Sequence, residues 1–223
     1  SLIIDSCSFN DDSFVCSNNC ESFVGYDVVL NSLLLLFQNS SIVFQSTDQK
    51  LGGLNIKSPG NIRICDSKIE NSFSDGNILY GHSQIAQNND LLMVENCSFK
   101  DCKGVCCYLN VHSGSSENIT LFQNKFDNCQ KDTQNTIVLG INEQINSILL
   151  TIRNNTIVNC GSVTPKCHVI YLNFSSAPNN LSPIVFEENI VTFDDAHKSC
   201  IGIWFRQENR DIFIHNCTFK YTF

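Results

Sequence analysis

An eight-residue pattern recurs eight times along the chain, at intervals of 27 to 34 residues, and few folds accommodate so regular a repeat. With anchors at Cys7, Asn39, Ser67, Cys97, Asn124, Asn155, Asn189 and Cys217, the residue five before is Leu2, Leu34, Ile62, Leu92, Ile119, Leu150, Ile184 or Ile212. The residue three before is Ile4, Leu36, Ile64, Val94, Leu121, Ile152, Phe186 or Ile214. All sixteen are apolar in a chain that is 42% hydrophobic, so chance does not produce the alignment. Two after the anchor the residue is apolar in every repeat except one, where Ser41 stands, and the residue just before the anchor is always polar.

Apolar residues at −5, −3 and +2 with a polar residue at −1 give period-two alternation on either side of a break, which predicts two short strands meeting at a tight corner. The anchor is Asn four times. Asn tolerates left-handed backbone well, so the anchor is expected to form the corner itself, with the polar −1 residue pointing to solvent. Each repeat then holds a further β-branched or aromatic stretch, at 78–80, 108–111, 137–141, 169–174 and 201–205. That makes about three strands per repeat. No repeat holds ten residues with helical apolar spacing. The regularity from end to end predicts one solenoid over residues 1–223, and the apolar segments Leu2-Ile3-Ile4 and Ile212-Phe213-Ile214 predict a piece of a longer repeat protein.

Segments such as ILLTIRNNTIVNC, NITLFQNKFDNC, LLMVENCSFKDC and DIFIHNCTFKYT resemble right-handed parallel β-helix repeats of the pectin-lyase-like kind. The resemblance implies an all-β, right-handed parallel β-helix of about eight coils, roughly 30 residues each, with three parallel sheets. Coils stacked about 4.8 Å apart would make a rod on the order of 40 Å long. FEEN at Phe186 to Asn189, with LFQN from Leu36 and again from Leu121, is similar to the F-x-x-N element of polymorphic outer-membrane protein repeats. The companion G-G-A-[ILV] element is missing, with Gly52-Gly53-Leu54 a solitary and poor match. A leucine-rich repeat shares the spacing of the apolar core. It expects an apolar residue three before the first Leu, however, where most repeats here have Asn31, Pro59, Asn89, Ser116, Ser147 or Asn209.

The net charge of −8, with 14 Lys and Arg and no basic run, opposes binding to a phosphate backbone, so nucleic acid is not an expected partner. The apolar run from Leu33 to Phe37 is too short to span a bilayer. Thirteen cysteines point to an oxidising compartment, and their odd number leaves at least one free or bonded outside the segment. Sequons for N-glycosylation stand at Asn39, Asn96, Asn118, Asn154, Asn173, Asn180 and Asn216. Asn96, Asn154 and Asn216 share the polar −1 position. The expected location is therefore extracellular or at the cell surface.

Five after the anchor, three successive repeats carry Cys102, Cys129 and Cys160, which would stack in a β-helix and fall within disulfide reach between neighbouring coils. Cys167 and Cys200 are a further candidate pair. Buried free thiols are the competing reading. The Cys-x-x-x-Cys pairs, Cys16 with Cys20 and Cys102 with Cys106, lack a matching second pair, so no metal or other cofactor is expected. β-helix enzymes acting on polyuronides cluster carboxylates with Arg, Lys or His on one face. The nearest approach is Asp194, Asp195 and His197, with Arg206 from the next coil, and Gly81-His82-Ser83 is only a fragment of the polygalacturonase motif series. Tyr171, Trp204 and Phe205 lie on strands where a sugar could stack.

The composition and repeat thus favour a non-enzymatic segment of a secreted or cell-surface repeat protein, serving as a rigid spacer, an adhesive surface or a filament-forming element. The expected partners are the rest of the same polypeptide or stacking subunits at both ends. A carbohydrate-active lyase or hydrolase of the pectin-lyase-like class is the alternative.

Overall fold

A computed structural model describes residues 2–6, 8–10, 24–29, 34–43, 51–58, 61–71, 73–83, 90–111, 116–129, 137–141, 147–160, 169–174, 183–193, 203–206 and 211–221. Among them the chain is all-β, with 23 strands and no helix, and every strand pairing is parallel. Each strand pairs with the one three places later in the chain: Leu2–Asp5 with Leu34–Gln38, Ser8–Asn10 with Ser41–Val43, and Val24–Val29 with Leu51–Ser58. Continued along the sequence, this rotation gives sheets of eight, eight and seven strands in which spatial order follows sequence order. Parallel neighbours need a long crossover, and here the other strands of the same turn provide it. The arrangement is compatible with a β-helix-like solenoid.

The −5, −3 and +2 positions become three interior columns. Ile62, Leu92, Ile119, Leu150 and Ile184 form one, Phe37, Ile64, Val94, Leu121, Ile152 and Phe186 the second, and Ile42, Ile69, Phe99, Phe126, Ile157 and Val191 the third, all buried. Like side chains stack on like in the third column, where the rings of Phe99 and Phe126 lie 4.8 Å apart and 7° from parallel. The columns end in the last described turn. There Ile212, Ile214 and Phe219 occupy interior positions yet are 37%, 51% and 53% exposed.

The structure corrects the repeat in two ways. In the second repeat Leu35 and Phe37, not Leu34 and Leu36, pair with Ile62 and Ile64, so the anchor is Ser40 and the +2 residue is Ile42. Residues 33–37 are all apolar, so alternation fits either phase, and only the neighbouring turns select one. With that shift Ser41 ceases to be an exception. Second, the left-handed residue is not the anchor but the polar one before it: Ser6, Asn39, Asp66, Asn96, Gln123, Asn154, Glu188 and Asn216 all have φ between 49° and 57°. The anchor side chains from Ser40 to Asn189 point inward and are buried.

Ladder hydrogen bonds run straight through this corner. The left-handed residue's N–H donates to the next turn, as Gln123 N to Arg153 O at 3.1 Å, and the residue after the anchor donates to the previous one, as Thr156 N to Asn124 O at 2.9 Å. Left-handed backbone costs about 1–2 kcal/mol for a residue other than Gly or Asn. Gln123 and Glu188 nevertheless adopt it, because the unbroken ladder holds them there. No helix among the described residues is long and apolar enough to cross a membrane.

Candidate functional site

Two interior corner columns carry the polar and thiol chemistry of the described residues. The first is the anchor column, which runs Ser40, Ser67, Cys97, Asn124, Asn155, Asn189, Cys217 along the stack. An Asn side chain here donates to the carbonyl of the −3 residue one turn back: Asn124 Nδ2 to Val94 O at 2.8 Å, Asn155 Nδ2 to Leu121 O at 3.0 Å, and Asn189 Nδ2 to Ile152 O at 2.8 Å. Its Oδ1 accepts from the preceding anchor's N–H, as in Cys97 N to Asn124 (3.0 Å), Asn124 N to Asn155 (2.9 Å) and Asn155 N to Asn189 (2.9 Å). Asn124 Nδ2 and Asn155 Nδ2 also reach the next Oδ1, at 3.1 and 3.0 Å. Each amide therefore uses both its donor and its acceptor in the dry interior, where an unpaired polar group would cost about 1–3 kcal/mol.

Cys and Ser occupy the same column because they reproduce part of this pattern. Cys97 Sγ donates to Ile64 O at 3.6 Å and Cys217 Sγ to Phe186 O at 3.5 Å, the carbonyls an Asn would use. Ser67 Oγ accepts from Ser40 N at 3.2 Å. Burial pushes the Cys97 thiol up to about 12, so it stays protonated and available as a donor.

The second column follows the second-sheet strands. Asn71, Asp101, Asn128 and Asn159 are left-handed there, with φ between 51° and 56°, and the next residue in three of these turns is Cys102, Cys129 or Cys160, each fully buried. Cys102 Sγ donates to Ile69 O and Lys100 O, and Cys129 Sγ to Phe99 O and Asp127 O, all at 3.3–3.4 Å. Cys106 joins them. The ladder slips between Lys103 and Val105, at Gly104, whose φ of 153° is a region only glycine enters readily. Beyond the slip Cys106 and Cys107, although adjacent in sequence, are both fully buried.

The sulfurs of Cys102, Cys106 and Cys129 all lie within 4.8 Å of one another. Burial pushes Cys106 and Cys160 well above the usual thiol range. Burial, the largest influence, opposes charge on Cys129 as well, whereas hydrogen bonds from Cys102, Cys106 and Cys160 to its sulfur would favour it. Such a set can hold one soft cation after the sulfurs draw in to about 3.8 Å, the edge of a tetrahedral zinc–thiolate site, or can form one disulfide between turns. Both outcomes require deprotonating thiols in a dry core.

The outer surface is laced by pairs between turns: Asn39 Nδ2 to Asp5 at 3.0 Å, Asn96 Nδ2 to Asp66 at 2.6 Å, Asn128 Nδ2 to Asp101 at 2.6 Å, and the ion pair Arg63–Glu95 at 2.9 Å. Arg153 Nε lies 3.4 Å from Glu187 and 3.1 Å from Glu188.

Of the residues singled out in the sequence, Cys102, Cys129 and Cys160 come together, as free thiols in this structure. Cys106, spaced from Cys102 as a Cys-x-x-x-Cys pair but set aside for want of a second pair, joins them beyond the slip at Gly104. Asn39, Asn96 and Asn216 are exposed, while Asn118 and Asn154 are half-buried. Asn173 lies in the strand Ile170–Phe174 and Arg206 in Ile203–Arg206, as register partners, and Tyr171 pairs in register with Trp204. Cys167, Asn180, Asp194, Asp195, His197 and Cys200 lie outside the described residues.

No protein-family model, curated protein or solved structure matches the chain. The resemblance to β-helix repeats therefore rests on the repeat and on the strand arrangement.

Proposed function

We propose that the chain is a segment of a secreted or cell-surface repeat protein, a right-handed parallel β-helix of eight coils and three sheets that serves as a rigid spacer or filament-forming element. The observation that carries this reading is the regular stack: among the described residues every strand pairs in parallel and in sequence order over interior columns of buried apolar side chains. In the last described turn Ile212, Phe213, Ile214 and Phe219 are exposed, and three of them stand in columns that are dry core in the turns from Ile62 to Val191. A layer of that composition and register would suit pairing with another such turn. In an oxidising compartment Cys129 would sit between Cys102 and Cys160 and could bond to only one of them.

Sedimentation velocity over a range of concentration tests the end contact. The expected result is concentration-dependent growth into elongated species, abolished by Ile214→Lys with Phe219→Lys. A monomer at high micromolar concentration, unchanged by the two lysines, would overturn the filament reading.

A further inference from the structure

Read along the corner between the first and second sheets, the left-handed residues are Ser6, Asn39, Asp66, Asn96, Gln123, Asn154, Glu188 and Asn216. Once the second repeat is in its correct register, Asn stands in every second turn. Each of these four is followed two residues later by Ser or Thr, namely Ser41, Ser98, Thr156 and Thr218. After Ser6, Asp66, Gln123 and Glu188 the same position holds Ser8, Lys68, Lys125 and Ile190.

The other left-handed corner is an internal control. It has Asn71, Asn128 and Asn159 in the same backbone conformation, yet two residues later stand Phe73, Gln130 and Gly161. Tolerance of positive φ explains Asn at both corners. It does not explain why Ser or Thr accompanies Asn at one corner and never at the other.

We propose that this edge carries a file of N-linked glycans, on Asn39, Asn96, Asn154 and Asn216, one at every second turn. The inference rests on the secreted reading above. In the transfer, Nδ2 displaces the diphosphate of a lipid-linked oligosaccharide at the anomeric carbon. A C–N bond forms, the C–O bond to the diphosphate breaks, and the amide gives up one of its two protons. The remaining N–H can keep the bond that Asn39 Nδ2 makes to Asp5 at 3.0 Å and that Asn96 Nδ2 makes to Asp66 at 2.6 Å.

The alternation has a steric reason. Successive turns of a parallel stack lie about 4.8 Å apart, less than the width of a hydrated pyranose, whereas every second turn leaves about 10 Å. Asp66, Gln123 and Glu188 are then the spacers between sugars. A fence of glycans on this edge would block side-by-side contact and leave the ends free to stack.

The test is to express the whole chain behind a secretory leader in a eukaryotic host and map each sequon by mass spectrometry after enzymatic deglycosylation in heavy-oxygen water. Three or four occupied edge sites would support the proposal. Two or fewer would overturn it, whatever the occupancy of Asn118, Asn173 and Asn180. A second variant, Gln123→Asn with Lys125→Thr, adds a sequon between Asn96 and Asn154. Secreted protein is expected to carry at most four edge glycans, and a folded species carrying five would overturn the spacing argument. The leader forces passage through the glycosylating compartment, so bare edge sites there would count against the glycan file alone. Surface biotinylation of native cells tests the location separately.

Discussion

The two interior corners share a backbone and differ in chemistry. Both turn through a residue with φ near 50°, and both bury the side chain that follows. At the first, three successive turns carry Asn124, Asn155 and Asn189, whose amides link turn to turn through donor and acceptor alike. At the second, Cys102, Cys129 and Cys160 donate weakly to nearby carbonyls and otherwise pack as small apolar groups. The first corner is therefore sensitive to loss of a partner. The second is sensitive mainly to volume and to oxidation.

The largest effect should come from breaking what both corners share. Ile152→Asp places an unpaired charge in the interior column whose backbone carbonyl accepts Asn189 Nδ2, and about 4 kcal/mol or more of stability should be lost. Chemical denaturation would measure it, and amides at both corners should lose exchange protection together. An unaltered midpoint would mean that the columns are wrongly placed.

Next in size is Asn155→Leu, which keeps the branching of the side chain with bulkier methyl groups and removes the acceptor for Asn124 N and the donor to Leu121 O. Leaving these buried groups unpaired should cost about 3 kcal/mol. A loss below about 1 kcal/mol would show that the amide ladder is dispensable.

Raising the pH probes both corners through their thiols. Burial raises Cys97 from 9.0 to about 12, so the unfolded chain loses this proton first and the folded chain holds it. Stability from this group is complete below pH 9 and falls as the pH climbs toward 12, by about 1.4 kcal/mol per unit within that window. Thermal melts between pH 8 and 11 should show the decline. Cys97→Asn should make it shallower, leaving the part due to Cys106, Cys107 and Cys160, whose thiols burial also raises. A slope unchanged by that substitution would remove Cys97 from the account.

The smallest effect is expected from Cys129→Ala in reduced protein, about 1 kcal/mol for a small cavity in the second corner. If it matched Asn155→Leu, the contrast between the corners would fail.

Sequence alone determined the repeat, the strand alternation and the identity of the apolar columns, because a residue that must face a dry interior in every turn repeats in kind. It also carried the sign of its own misregistration: Ser41 was the one +2 residue that was not apolar, and moving the second anchor to Ser40 puts the buried Ile42 there. Tertiary structure decided what local pattern leaves ambiguous. The Leu33 to Phe37 run fits two phases, and only pairing of Leu35 with Ile62 and of Phe37 with Ile64 chooses between them. Asn at the anchor looks like a turn former when read along the chain. Its inward role depends on carbonyls and amides one turn away, between 27 and 37 residues distant in sequence. Cys106 reaches Cys129 only because the ladder slips at Gly104. In each case the deciding partner lies across the stack, where spacing along the chain carries no information about distance.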